Sequence, residues 1–164
     1  MMKFFFGLTM IAFTSFCGYL LARKYRQRKL FFRQLYEFNE RFLTEIAYYR
    51  RPLREFAAKY TYRGEFAELL ERFFEELDNE MVQEATFVDK AHFSFLKEEE
   101  CRAVKDYFFM LGRGDSASQR SYFSSVKEEL FSKCLDVEKT CKKYADLYVK
   151  IGFLCGLLLL ILMI

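Results

Sequence analysis

The chain has 164 residues, with 26 Lys and Arg against 23 Asp and Glu, a formal net charge of +3, one His, one Pro and five Cys. That length suits one modest domain, and so slight a charge excess excludes the broad cationic surface that nucleic acid requires. The averages hide a division: every acidic residue, and every basic one except Lys3, lies between two apolar ends.

Phe4 to Ala22 contains no charged residue. A helix of about 19 residues rising about 1.5 Å each matches the roughly 30 Å hydrocarbon thickness of a bilayer. A signal peptide is the competing reading, since Lys3 precedes the run. The run exceeds the usual apolar core of about 7–15 residues, however, and no small-x-small site closes it. Arg23, Lys24, Arg26, Arg28 and Lys29 follow at once. We therefore expect an uncleaved transmembrane helix over residues 4–22, with those five cations at the headgroups and fixing orientation.

Beyond the span, Phe31, Leu35, Phe38, Phe42, Ile46 and Tyr49 recur every three or four residues, which predicts one helix from Phe4 to Tyr49. Glu45 neighbours Ile46 on this stripe, so it is expected at a seam between helices, paired with Arg51 or Arg54. Pro52 forces a turn and suits the start of a short helix that buries Leu53, Phe56, Ala57 and Tyr60. Gly64 breaks that segment. The next helix sets Phe66, Leu69, Leu70, Phe73, Phe74 and Leu77 against Glu65, Glu68, Glu71, Glu75 and Glu76, and Asp78 and Asn79 end it.

Residues 65–84 hold eight acidic residues against Arg72 alone. A solvated helix face is the ordinary explanation; an acidic face on a membrane-anchored domain also suits a basic partner. Glu45, Glu71, Glu75 and Glu76 are the candidate partner-binding residues.

Residues 81–95 are the least legible, read as a short helix near Val82–Phe87 and then a loop. Ser94 is placed as the cap of a helix beginning near Lys97 that buries Val104, Phe108 and Leu111. Leu111-Gly112-Arg113-Gly114-Asp115-Ser116 reads as a stop, a turn and a restart, with Ser116 and Gln119 at capping-box spacing. From Phe123 through Val126, Leu130, Cys134, Val137, Cys141, Tyr144 and Tyr148 the apolar stripe continues toward the C-terminus. The terminal run, Ile151 to Ile164, is short at about 21 Å, but Leu147, Tyr148 and Val149 extend it to about 27 Å if Lys150 snorkels to the headgroups. The expected organisation is a transmembrane helix over 4–22, a cytosolic helical bundle over 23–146 and a second transmembrane helix over 147–164. Cations at the inner end of each span place the middle in the cytosol and both termini outside. The fold class is all-α: five to six helices, whose long first and last members run antiparallel and continue into the spans.

The chemistry of a catalyst is missing from this pattern. His92 has neither Cys nor carboxylates at ligand spacing, and no phosphate loop, nucleophile elbow or paired-Cys motif occurs. We expect no enzyme activity, metal or cofactor. Arg113-Gly114-Asp115 spells an adhesion tripeptide, yet turn formation suffices to explain it in a cytosolic loop. The 21 phenylalanines at helical spacing read as core, and the cysteines as reduced thiols.

Several blocks carry a resemblance. Gly18, Ala22, Tyr25 and Arg28 follow the arrangement Gly-x-x-x-Ala-x-x-Tyr-x-x-Arg; Thr44-Glu45-Ile46-Ala47-Tyr48 with Pro52-Leu53 matches a Thr-Glu-Ile-x-Tyr-x-x-Thr-Pro-Leu block; Leu111-Gly112, Asp115 and Gln119 fit a Leu-Gly-x-Ser-Asp-x-x-x-Gln turn. In these the chain resembles the stage III sporulation protein AB family of endospore-forming bacteria. It departs at Arg51 (Thr in the family), Gly114 (Ser) and Thr86-Phe87 (Ala-Trp). The resemblance implies a platform component of the channel complex between mother cell and engulfed forespore, seated in the outer forespore membrane on the mother-cell side. It implies as partners the other stage III proteins, above all the cytosolic ATPase stage III sporulation protein AA, together with membrane lipids. A homo-oligomer is compatible with it. The family's cytosolic domain is similar to the inner-membrane platform of type II secretion and type IV pilus machines. A general platform of that kind is the first alternative, disfavoured by the lack of an internal repeat. A membrane-tethered scaffold coiled coil is the second, disfavoured by Pro52, Gly64 and Gly112.

Overall fold

Phenylalanine at helical spacing organises the chain. The computed structural model describes residues 2–48, 53–78, 88, 93–111 and 116–163, and among these the regular structure is entirely helical. Five helices follow in order: α1 (Met2–Tyr48), α2 (Leu53–Ala58), α3 (Glu65–Asp78), α4 (Glu98–Met110) and α5 (Ser116–Met163). The expectations for Pro52, for a helix near Val82–Phe87, for His92 and for the Arg113-Gly114-Asp115 turn fall outside the described residues, as does the side chain of Ser116.

The chain divides into two compact units. One is Leu30–Cys134, and its core is aromatic. Phe38 on α1 is fully buried. Its ring centroid lies 5.4 Å from Phe56 of α2, 5.7 Å from Phe66 of α3 and 6.4 Å from Phe108 of α4. Phe123 of α5 closes the same core, 5.0 Å from Phe42 and 5.1 Å from Tyr107. Burying one such ring stabilises by about 1.5–3 kcal/mol, so a core drawn from all five helices commits them to one another. A polar side chain sits inside it. Asn39, fully buried, donates from Nδ2 to the Phe123 carbonyl at 3.1 Å and accepts the Tyr107 hydroxyl at 3.2 Å. This ties α1, α4 and α5 with both amide ends satisfied.

Local chemistry sets the helix ends. Gly64 has φ +63°, a left-handed geometry that favours glycine, and its carbonyl accepts the Ala67 N–H at 2.9 Å to open α3. Helix α4 corrects one expectation: it starts at Glu98 with Lys97, not Ser94, in the capping position. The reason is a carboxylate. Glu100 reaches back to accept the Lys97 backbone N–H at 2.9 Å, satisfying an end donor without a capping hydroxyl.

The other unit comprises α1 up to Lys29 and α5 from Leu135 onward, longer at each inner end than the spans expected at 4–22 and 147–164. Its two helices touch through glycine. A Cβ on Gly18 would lie 2.6 Å from the Tyr148 carbonyl oxygen, and one on Gly152 would lie 2.7 Å from that of Thr14. Ala22, Cys141 and Ala145 continue the buried seam. Large apolar side chains point the other way: Phe13, Leu154, Ile161 and Leu162 are exposed. Small residues inside and large apolar ones outside invert the pattern of a water-soluble bundle. Within α5, Ala117–Leu162 holds a stretch long and apolar enough to cross a membrane. For the first expected span, the side chains of residues 4–6 lie outside the described ones.

Candidate functional site

Helix α3 is built to show carboxylates. Phe66, Leu69 and Phe73 are buried, which turns Glu68, Glu71 and Glu75 outward on the opposite face. Glu65 and Glu68 occupy the first turn, where the helix dipole favours negative charge.

Beside this face lies a cleft of about 530 Å³ between α2 and α3. Ala57, Ala67, Leu70 and Phe74 give it an apolar lining, Tyr60 and Tyr62 form a wall, and Glu71, Glu75 and Arg54 supply its charges. The wall is braced from α1, where the Arg41 guanidinium sits 4.5 Å from the Tyr60 ring centroid and 5.5 Å from that of Tyr62. Burial pushes the Tyr62 hydroxyl above its ordinary pKa. An apolar lining with paired carboxylates suits a basic, partly apolar segment of another protein.

The structure thus brings together two of the four acidic residues singled out in the sequence. Glu76 is half-buried and does not line the cleft. Glu45 departs further from the expectation of partner contact, being 4 % exposed. Its carboxylate lies 3.9 Å from Lys59 Nζ. Burial removes it from any docking surface; Lys59, from beyond α2, is one cationic neighbour, and Arg51, an expected partner, lies outside the described residues.

The cations assigned to headgroups also divide. Arg23, Lys24, Arg26 and Lys150 are exposed, as that role requires. Arg28 is buried at 8 % exposure and does not present itself at the surface as they do. Lys29 lies 3.5 Å from Glu138, whose carboxyl is held below its ordinary pKa by hydrogen bonds from Lys142 and Lys29.

A second cleft, of about 500 Å³, runs between α1 and α5 and is lined by Glu40, Arg41, Leu43, Thr44, Arg120, Ser124 and Lys127. Lys127 Nζ meets Glu40 Oε1 at 2.9 Å. The hydrogen bond from Lys127 lowers the Glu40 pKa, and the same bond raises that of Lys127. Sequence reasoning missed this cleft and the Tyr60–Tyr62 wall. Only the pairing of Tyr60 with Tyr62 just before a glycine offered any signal.

Among the described residues, no three His, Cys, Asp or Glu side chains gather as a metal site. The five cysteines are free thiols, Cys101 and Cys141 buried and Cys17 and Cys155 exposed. No curated protein and no solved structure matches the chain. The family model of stage III sporulation protein AB matches residues 3–164, and the chain belongs to that family, with a role in stage III of sporulation.

Proposed function

We propose that the chain is a non-catalytic platform component of the channel between mother cell and forespore, anchored by two spans in the outer forespore membrane. Its cytosolic helices couple an ATPase, stage III sporulation protein AA, to that channel, and both termini lie outside. The observation that carries this reading is family membership over residues 3–164. Three features support the finer parts of it.

The first is the order of contacts between α1 and α5. Gly156 neighbours Ile11, Gly152 neighbours Gly18, and Glu138 neighbours Lys29. Numbers rise along one helix as they fall along the other, as in two antiparallel helices entering one bilayer. Second, exposed Arg23, Lys24, Arg26 and Lys150 stand at the ends of the apolar stretches, positioned for anionic headgroups. Third, the α2–α3 cleft offers Glu71 and Glu75 over an apolar lining, which suits a basic segment of the ATPase.

Retention of the ATPase by the full detergent-solubilised chain tests the coupling. The double substitution Glu71→Lys/Glu75→Lys is expected to weaken retention by at least about tenfold, ~1.4 kcal/mol, and to lower the yield of heat-resistant spores. Retention equal to that of the unsubstituted chain would overturn the assignment of the cleft.

A further inference from the structure

The unit Leu30–Cys134 carries a convex acidic ridge and a concave basic cleft on different helices. The ridge is the outer face of α3, where Glu68, Glu71 and Glu75 are exposed at helical spacing. In the cleft between α1 and α5, Arg41, Arg120 and Lys127 outnumber Glu40, and Ser124 adds a hydroxyl, while the Thr44 hydroxyl is spent on the Glu40 carbonyl at 3.0 Å. A ridge of carboxylates and a groove of cations with a serine hydroxyl are complementary in charge, in hydrogen-bonding sense and in curvature. Both belong to the same chain, so the partner each fits is a second copy.

We propose that copies of the chain associate head to tail, the α3 ridge of one lying in the α1–α5 cleft of the next. Arg120 and Lys127 meet the incoming carboxylates, while Glu40 holds Lys127 in place from within the cleft. The contact is heterologous, with different surfaces on its two sides, so it extends into a row or closes into a ring. Because Glu71 and Glu75 also line the cleft assigned above to the ATPase, a copy engaged through its ridge does not hold the ATPase at the same time. The inference shares those residues with that reading but does not require the ATPase.

Sedimentation velocity of the full chain in nonionic detergent, with no ATPase present, tests it. Self-association that strengthens with protein concentration and weakens with added salt is expected. Glu71→Lys/Glu75→Lys reverses the ridge, and Arg120→Glu/Ser124→Glu reverses the cleft while leaving the Glu40–Lys127 pair intact. Each double variant alone should lose at least about tenfold in association constant. An equimolar mixture of the two should recover it, because a reversed ridge then meets a reversed cleft; recovery also shows that both variants are folded. A monomeric unsubstituted chain at low salt, association indifferent to both reversals, or a mixture no tighter than either variant alone would each overturn the proposal. The cleft variant, with α3 unaltered, separates this contact from ATPase docking: self-association lost with ATPase retained supports the head-to-tail contact whether or not the α3 variant binds the ATPase.

Discussion

Glu100 joins two elements with one carboxylate. It is 4 % exposed; Oε1 lies 2.7 Å from Lys133 Nζ on α5, and Oε2 accepts the Lys97 N–H at the start of α4. Removing one member of a buried ion pair costs about 3–5 kcal/mol because the other charge is stranded. Lys133 is one-third exposed and regains water, so Glu100→Ala is expected to cost about 2–3 kcal/mol, the lost cap included. That corresponds to a drop of roughly 4–10 °C in the thermal midpoint of the detergent-solubilised chain, followed by circular dichroism. The Arg102–Glu98 pair is the contrast. It is nearly as short, at 2.9 Å, but its side chains are 72 % and 61 % exposed, and Glu98→Ala should shift the midpoint by little, since exposed pairs contribute about 0–1 kcal/mol. Equal shifts for the two variants would refute the ranking.

Among the elements, α1 and α5 depend on glycine where they touch. Gly152→Leu would force side-chain atoms into the Thr14 carbonyl and the Gly18 backbone, and overpacking of this kind typically costs about 1–3 kcal/mol. A lower thermal midpoint and faster proteolysis of the full chain in detergent are expected; unchanged values would show that the helices separate without penalty. The long helices were legible because their apolar stripes repeat every three or four residues, and burial of Phe31, Leu35 and Phe38 follows that stripe. The break at Gly64 was legible for the same local reason. The fates of Glu45 and Arg28 were not, because a charged residue beside a stripe is buried or exposed according to what packs there from elsewhere in the chain. The start of α4 near Lys97 was legible, but its cap was not, because a carboxylate three residues in did the work assigned to the Ser94 hydroxyl. Of the candidate site, the acidic face was legible as periodicity within α3. The clefts were not, since Arg41 meets Tyr60 and Tyr62 across a turn, and Arg120 and Lys127 join Glu40 from another helix.

For the whole molecule the decisive question is which side of the bilayer each end occupies. On the proposed topology of two spans and a cytosolic middle, a reporter fused after Ile164 should signal outside the cytosol, whereas a cytosolic signal would refute the second span. The glycine seam adds a constraint on motion. Successive helical residues are rotated by about 100°, so turning either helix about its own axis by one residue would replace Gly18 or Gly152 with a bulkier neighbour such as Cys17, Tyr19, Ile151 or Phe153. The seam therefore acts as a rotational lock. The two helices can tilt or shift together, but neither can twist past the other without first coming apart, so any signal passing along this pair must travel as displacement and not as torsion.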